Sequence, residues 1–134
     1  MGTLVCFHAH PDDESISTGG SMARAAAEGH RVVLVVATNG EYGEVPADLA
    51  EGETLFHRRR AESEASAAAL GLHRLVWLGY KDSGMTGWKQ NDDPESFWQA
   101  PVEDAAERLA AILREESADV LTVYDWHGNY GHPD

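Results

Sequence analysis

Four nearly continuous apolar runs, separated by helix-forming segments, constrain the fold of this chain more than any other feature of its sequence. The runs are rich in β-branched and aromatic residues and cover residues 3–9, 31–38, 74–80 and 119–124. Such runs are typical of strands that are buried on both faces, as in parallel sheets. The helix-forming segments lie between them, at residues 14–29, 54–71 and 101–117.

This alternation of strands and helices predicts an α/β fold. A βαβαβαβ order with right-handed crossovers gives a Rossmann-like doubly wound, mainly parallel sheet with helices on both faces. At 134 residues, the chain is expected to form a single domain over residues 1–134. In the commonest strand order the first and fourth strands are neighbours, and ligands bind outside their carboxyl ends. The polar stretches 8–14 and 125–134 follow these strands, so we expect them to meet in one crevice.

The composition argues against several classes of function. With 23 acidic and 10 basic residues the net charge is −13, and such a surface repels nucleic acids and anionic membranes. The single cysteine, Cys6, lies in an apolar run, where we expect a small buried side chain rather than a disulfide partner. No apolar run is long enough to cross a membrane and no signal-peptide pattern is present, which predicts a cytoplasmic protein. No dinucleotide fingerprint or P-loop follows the first strand.

The segment HAHPDDE, residues 8–14, places two histidines and three acidic residues at the end of the first strand. His10 and Asp13 are three residues apart at a strand-to-helix turn, so a ring nitrogen and a carboxylate oxygen can approach one point. Nitrogen and oxygen ligands suit a divalent transition ion, for which zinc is the default. Asp12 points in a different direction, where it is placed to accept a proton from a water on that ion.

The same residues have structural interpretations. Asp12 or Asp13 is also a good candidate to cap the following helix. His8 is either a packed, hydrogen-bonded strand residue or a partner that orients the metal ligands. Glu14 either interacts favourably with the helix dipole or hydrogen-bonds to His10.

The motif AHPDDE at residues 9–14 resembles the signature of the PIG-L/LmbE-like family of zinc-dependent N-deacetylases. GHPD at 131–134 is similar to the start of the family's second motif. Three further segments resemble its actinobacterial branch: TNGEYGEV at 38–45, RRAE at 59–62 and KDSGM at 81–85. That branch deacetylates N-acetylglucosaminyl-inositol or cleaves mycothiol conjugates. The resemblance therefore implies a hydrolase, with one Zn²⁺ or another divalent ion per site, that removes the acetyl group from an N-acetylated amino sugar.

The resemblance also implies roles for individual residues. His10 and Asp13 match metal ligands, and Asp12 matches the general base. His132 corresponds to the histidine that stabilises the oxyanion and protonates the leaving amine, and Tyr130 to a tyrosine that assists the oxyanion. Hydroxyl groups of the sugar or inositol are implied to contact three further residues, which are Arg59, Asp82 and Glu44.

In the family, a histidine that directly follows the second motif supplies the third metal ligand. That position would come immediately after Asp134, so the chain is expected to be the N-terminal part of such a domain, truncated at its C-terminus. Within the chain, His127 is the best local substitute for this ligand. The incomplete sheet edge that this implies would invite pairing with another copy.

Other interpretations stay open for the function and for single residues. The same site would serve an amidase that acts on thiol S-conjugates, and a non-catalytic fragment that binds a small molecule is a third alternative. Arg59 within HRRR is also typical of a solvated helix face, Asp82 of a turn and Tyr130 of loop packing. For three aromatic residues of the long loop we expect packing rather than a sugar platform: Trp88, Phe97 and Trp98.

Overall fold

The four apolar runs form one parallel sheet in the computed structural model of the chain, which describes residues 1–134. The strands are β1 (Thr3–His8), β2 (Arg31–Thr38), β3 (Arg74–Tyr80) and β4 (Val120–Thr122). Their order is β3-β2-β1-β4, and every neighbouring pair is parallel. The first and fourth strands are therefore neighbours, as the sequence predicts.

Four α-helices connect these strands. They are α1 (Asp13–Ser17), α2 (Gly19–Ala27), α3 (Leu55–Leu70) and α4 (Val102–Glu116), and a short 3₁₀ helix spans Lys89–Asp92. The helix predicted over 14–29 is thus two helices, which meet at Thr18, where φ is −129° and ψ is 0°. None of the α-helices has the length and apolar character that a membrane span requires.

The core lies on both faces of the sheet. On one face, Ile112 of α4 belongs to a buried cluster with Val5 and Val33. On the other face, Met22 of α2 belongs to a buried cluster with Cys6. Adjacent residues of β1 therefore pack on opposite faces, which explains why the strand is continuously apolar. Each fully buried valine contributes about 1.5–3 kcal/mol relative to exposure. The doubly wound α/β fold is confirmed.

Parallel pairing brings the loops after β1 and β4 to the same edge of the sheet. Leu4 is opposite Val120 and Cys6 is opposite Thr122, so β4 ends two residues before the end of β1. The loops after β2 and β3 leave from this edge as well, because all four strands point the same way. The fold thus gathers the polar segments of the sequence at one end of the sheet.

Candidate metal and active site

A cavity of about 400 Å³ lies at the carboxyl ends of the strands. Loops that follow all four strands line it, together with parts of α1 and α3. Its lining combines ionisable groups with apolar and aromatic side chains, as small-molecule sites do. The acidic, basic and histidine side chains are His10, Asp12, Asp13, Arg59, Asp82, His132 and Asp134, and the larger apolar or aromatic ones are Ile16, Tyr42, Met85, Trp88, Tyr124 and Tyr130. The predicted meeting of the two polar stretches is therefore found in this cavity.

The turn after β1 holds Asp12 in an unusual backbone conformation. Its φ of 85° lies in the left-handed region, which residues other than glycine rarely adopt. Its side chain makes no capping hydrogen bond to α1 and is 64% exposed. One carboxylate oxygen is 3.6 Å from Nη1 of Arg59. Helix capping therefore does not account for Asp12, whose carboxylate is available in the cavity.

His10 lies between carboxylates on both edges of its ring. Nδ1 is 3.4 Å from Oδ2 of Asp13. Nε2 is 2.8 Å from Oδ2 of Asp134 and 3.6 Å from Oδ1 of Asp82. Burial by itself lowers the pKa of His10, but the three carboxylates overcome this effect and raise it to about 12. The site thus has an excess of negative charge that a cation balances.

Four side chains bring potential metal-ligand atoms within 4.8 Å of one another: His10, Asp82, His132 and Asp134. Asp82 is buried here, and the backbone N–H of Gly84 donates to its Oδ1 at 2.8 Å. Burial raises the pKa of Asp82, but hydrogen bonding to His10 and Gly84 holds it at about 2. Asp82, which the resemblance assigns to substrate hydroxyls, therefore lies beside His10, the predicted metal ligand.

The donor atoms on the Nδ1 side of His10 have the spacing of a metal site. Two ligands of a tetrahedral zinc ion, each about 2.0–2.1 Å from the metal, lie about 3.3 Å apart. The 3.4 Å separation between Nδ1 of His10 and Oδ2 of Asp13 matches that edge. On the other side, the 2.8 Å separation between Nε2 and Asp134 is that of a hydrogen bond. The residues present therefore fit a divalent ion between His10 and Asp13.

His132 and Tyr130, predicted as catalytic residues, both line the cavity. The ring of His132 meets that of His10 edge to face, with centroids 4.4 Å apart. Burial and the positive charge of His10 lower the pKa of His132. The ring of Tyr130 lies 6.0 Å from that of His132 and is 65% exposed, so its hydroxyl is accessible. Both residues are therefore near the predicted metal ligands.

The predicted substrate contacts fall into different places. Arg59, on α3, lines the cavity, and its Nη1 donates to the carbonyl of Pro11 at 2.8 Å. Glu44 is exposed and does not line the cavity, so the structure does not bring it to the site. Tyr42 and Gly43 occupy the wall that this loop provides. The resemblance assigns Glu44 by its position in a matching segment, whereas tertiary contacts decide which side chains of this irregular loop face inward.

Two other predicted partners lie elsewhere. Glu14 does not hydrogen-bond to His10, because its Oε1 accepts from the hydroxyls of Ser15 and Ser66 instead. Its buried Oε2 has no hydrogen-bond partner, and burial raises its pKa. His127 packs its ring beside Gly131 and does not belong to the group of potential ligand atoms.

The aromatic residues of the loop after β3 divide between packing and the cavity. The ring of Phe97 contacts those of Phe7 and Tyr80, with centroids 6.5 and 5.1 Å apart, so it packs in the core as predicted. Trp88 lines the cavity and is 45% exposed. Its predicted packing role is therefore incomplete, since one face is open to a ligand.

Three residues of the site were missed by sequence reasoning. Ser83 donates its hydroxyl to Asp134, and its backbone N–H donates to the same side chain at 3.1 Å. Glu41 accepts from the backbone N–H of Asp82 at 3.0 Å. Tyr124 donates its hydroxyl to Asp13 at 2.9 Å. The sequence signal for Tyr124 is its place at the end of the fourth apolar run, next to the strand that carries the HAHPDDE segment.

The chain matches the model of a known family over residues 5–134, described as PIG-L: GlcNAc-PI de-N-acetylase. A relative from Thermobifida fusca, named 1D-myo-inositol 2-acetamido-2-deoxy-alpha-D-glucopyranoside deacetylase, is 51% identical over 98% of this chain and 49% of its own length. A relative of the same name from Nocardiopsis dassonvillei is 51% identical over 95% of this chain and 49% of its own. The chain spans about half the length of these curated relatives.

Solved structures share the fold. N,N'-diacetylchitobiose deacetylase from Pyrococcus horikoshii has a TM-score of 0.76 and 30% identity, covering 98% of this chain and 44% of that one. The 4-carboxy-2-hydroxymuconate hydratase of Pseudomonas putida has a TM-score of 0.69 and 23% identity, covering 99% of this chain and 52% of that one. The second match, at 23% identity, shows the fold alone.

Proposed function

Since this chain belongs to the PIG-L family of GlcNAc-PI de-N-acetylases, we propose that its site removes the acetyl group from an N-acetylglucosamine-type conjugate. The observation that carries this proposal is the turn after β1. There His10 and Asp13 present donor atoms 3.4 Å apart, and the uncapped carboxylate of Asp12 lines the same cavity. A ligand pair beside a free base is the arrangement that metal-assisted hydrolysis requires.

His10 and Asp13 are the proposed ligands of a divalent ion, with zinc as the metal that their nitrogen and oxygen atoms suit. When bound, this ion polarises the amide carbonyl and lowers the pKa of a bound water. The family motif assigns the remaining protein ligand to a histidine directly after Asp134. Within the described residues, Asp82, His132 and Asp134 offer further donor atoms nearby.

Asp12 is the proposed general base. Partial desolvation at the cavity wall raises its pKa despite the nearby charge of Arg59, which makes the carboxylate a better proton acceptor than a fully solvated aspartate. The attacking water transfers a proton to Asp12 as the oxygen of the water bonds to the acetyl carbon. The positive φ of Asp12 then has a function, because backbone strain of this kind is retained where the surrounding structure needs a particular side-chain direction.

His132 is the proposed acid for the leaving nitrogen. When the bond between the acetyl carbon and the nitrogen breaks, that nitrogen takes a proton from His132 and departs as the amine, leaving acetate. The lowered pKa of His132 favours this proton donation once the ring is protonated. The exposed hydroxyl of Tyr130 is placed to donate a hydrogen bond to the oxyanion.

Arg59 is the proposed contact for substrate hydroxyls, since its guanidinium group lines the cavity between the base and the loop after β2. Asp82 has its carboxylate committed to His10 and Gly84, and we assign it to the metal surroundings instead. Glu44 is left without a role at the site, because it is exposed outside the cavity.

We propose further that residues 1–134 form one domain that corresponds to the portion of the relatives that they match. A cytoplasmic location fits the single cysteine, which is buried and unpaired. Pairing with a second copy would use the outer edge of β4, which lies at the end of the sheet.

The substitution Asp12→Asn tests the proposal. Asparagine keeps the size of the side chain but cannot take the proton, so turnover of an N-acetylglucosaminyl-inositol should fall about 10²–10⁴-fold while zinc stays bound. Released acetate and bound zinc are measured in the same samples. Asp104→Asn, an exposed acid on α4, is the matched control and should keep full activity.

Chelation completes the experiment. Removal of metal should abolish acetate release, and added zinc should restore it. Undiminished turnover in Asp12→Asn, or in the fully chelated protein, would contradict the proposal. Faster cleavage of a thiol S-conjugate than of the acetylated sugar would assign the same site to an amidase instead.

A further inference from the structure

A chain of partly buried hydrogen bonds reaches from the break between α1 and α2 to the carboxylate of Asp13. The hydroxyl of Tyr124 is 2.9 Å from Oδ2 of Asp13 and 2.9 Å from Nδ1 of His8. Nε2 of His8 is 2.8 Å from the hydroxyl of Thr18. We call Thr18, His8 and Tyr124 the support chain, because none of them is among the proposed ligands and all lie behind one of them.

With a neutral His8, the donors and acceptors of the support chain fit one direction. Asp13 as a carboxylate has no proton, so the hydroxyl of Tyr124 donates to it. The oxygen of Tyr124 then accepts the proton on Nδ1 of His8. This tautomer leaves Nε2 of His8 without a proton, and Nε2 therefore accepts from the hydroxyl of Thr18. Every polar atom of the chain is satisfied when His8 is neutral.

Each member of the support chain is fixed by a different element. His8 is the last residue of β1 and is buried, and Tyr124 follows β4, 116 residues later. The two rings also pack edge to face, with centroids 5.5 Å apart. Thr18 is the residue at which the predicted long helix is interrupted. The interruption thus places the Thr18 hydroxyl against His8.

Two donors converge on one oxygen of Asp13. Besides Tyr124, the backbone N–H of His10 donates to Oδ2 at 3.0 Å. Together they fix the rotation of the carboxylate, and so the direction in which Asp13 faces Nδ1 of His10. Hydrogen bonds that hold a metal-binding carboxylate commonly contribute 10–100-fold to metal affinity.

We propose that Tyr124, held by His8 and Thr18, is a positioning residue that orients Asp13 for metal binding. The proposal rests on the metal site of the proposed function. It adds that the affinity for zinc depends on a tyrosine that is not a ligand. Loss of the Tyr124 hydroxyl leaves the ligands in place, but the carboxylate of Asp13 is then held by the N–H of His10 alone and its direction is less fixed.

The substitution Tyr124→Phe tests this, with zinc affinity measured by competition against a chromophoric chelator. Phenylalanine keeps the ring that packs on His8 and removes only the hydroxyl. The dissociation constant for zinc should rise 10–100-fold. Tyr80→Phe is the matched control, because the buried hydroxyl of Tyr80 has no hydrogen-bond partner, and its zinc affinity should stay within twofold of the unsubstituted protein.

Thr18→Val gives a second variant at the far end of the support chain. It removes the donor to His8 and should weaken zinc binding a few-fold in the same direction, with thermal unfolding of the metal-free protein recorded for every variant. A merely structural role would lower the unfolding temperature and leave zinc affinity unchanged. Zinc affinity within twofold of the unsubstituted protein in both Tyr124→Phe and Thr18→Val would overturn the proposal. Zinc affinity is measured apart from acetate release, so failure of deacetylation would not be mistaken for failure of this inference.

Discussion

The two ring nitrogens of His10 face different carboxylates. An imidazole has two ring nitrogens, and a neutral ring offers a lone pair on only one of them. In His10, Nδ1 faces Asp13 and Nε2 faces Asp82 and Asp134. A metal on Nδ1 therefore requires Nε2 to carry the proton and to donate it toward Asp82 and Asp134. These two carboxylates then keep His10 in the tautomer that metal binding needs.

Glu116 provides a residue-scale prediction away from the site. Its carboxylate is buried and accepts from Nε of Arg31 at 2.5 Å and from Nη1 of Arg74 at 2.6 Å. These hydrogen bonds lower its pKa from 4.5 to about 2. Because the folded-state pKa is lowered, the stabilisation is present above pH 4.5 and is lost as the pH falls toward 2.

Glu116→Gln should therefore lower the free energy of unfolding by about 1–2 kcal/mol at neutral pH, allowing for solvent screening of the partly exposed arginines. The difference in unfolding free energy between Glu116→Gln and the unsubstituted protein should narrow as the pH falls from 4.5 toward about 2. Urea unfolding at several pH values measures this difference. Glu115→Gln is the control, because Glu115 is 64% exposed and contacts only Arg74, at 3.2 Å. A loss of stability that does not change with pH would show that the charge is not responsible.

At the scale of elements, α3 and α4 both end at a residue in the left-handed conformation, but the two residues differ in type. Gly71 follows α3 with a φ of 74°, a conformation that glycine adopts without steric cost. Ser117 follows α4 with a φ of 49° and a ψ of 52°, in the same left-handed region. The N–H of Ala118 donates to the carbonyl of Leu113 at 3.0 Å, which closes the last turn. Ser117, unlike Gly71, has a Cβ atom, and the left-handed conformation disfavours a Cβ.

Ser117→Gly should raise the free energy of unfolding by about 0.5–1 kcal/mol, because the relief of left-handed strain exceeds the added freedom of the unfolded chain. Ser117 is exposed, so its side chain is lost without loss of packing. Chemical denaturation measures the change. Ser117→Ala keeps the Cβ and should leave stability nearly unchanged, and an equal gain in both variants would refute the explanation.

The sequence predicts the strands of this fold better than the details of its site. The continuous apolar runs locate all four strands within a few residues, and β2 is buried on both faces as expected. The expectation of burial is wrong for β4, where Val120 and Leu121 are exposed at the end of the sheet. The sequence does not predict the break at Thr18 as a break, although Gly19 and Gly20, which disfavour a helix interior, follow directly. At the break, the Thr18 hydroxyl hydrogen-bonds to His8. Asp82 and Glu44 were both assigned to substrate, but tertiary contacts place one at His10 and the other outside the cavity. Loop side chains follow such contacts, which regular spacing does not encode.

At the scale of the whole molecule, the site joins residues from both ends of the described chain. Nε2 of His10 contacts Asp134 across 124 residues of sequence. The strands that carry these segments, β1 and β4, are paired over only three residues, since β4 spans Val120–Thr122. Contacts between the two segments at the cavity therefore reinforce the short pairing of β1 with β4. A ligand that binds the folded site stabilises the whole molecule.

Zinc should therefore raise the thermal unfolding temperature of the protein in a concentration-dependent way. At a free zinc concentration 100 times the dissociation constant, linkage predicts about 2.7 kcal/mol of added stability. Calorimetry with increasing zinc, against a chelated sample, measures it. Asp13→Asn should remove most of the shift, because it removes a proposed ligand, whereas Asp12→Asn should keep it. A shift that survives in Asp13→Asn but disappears in Asp82→Asn would place the ion on the Nε2 side of His10 instead.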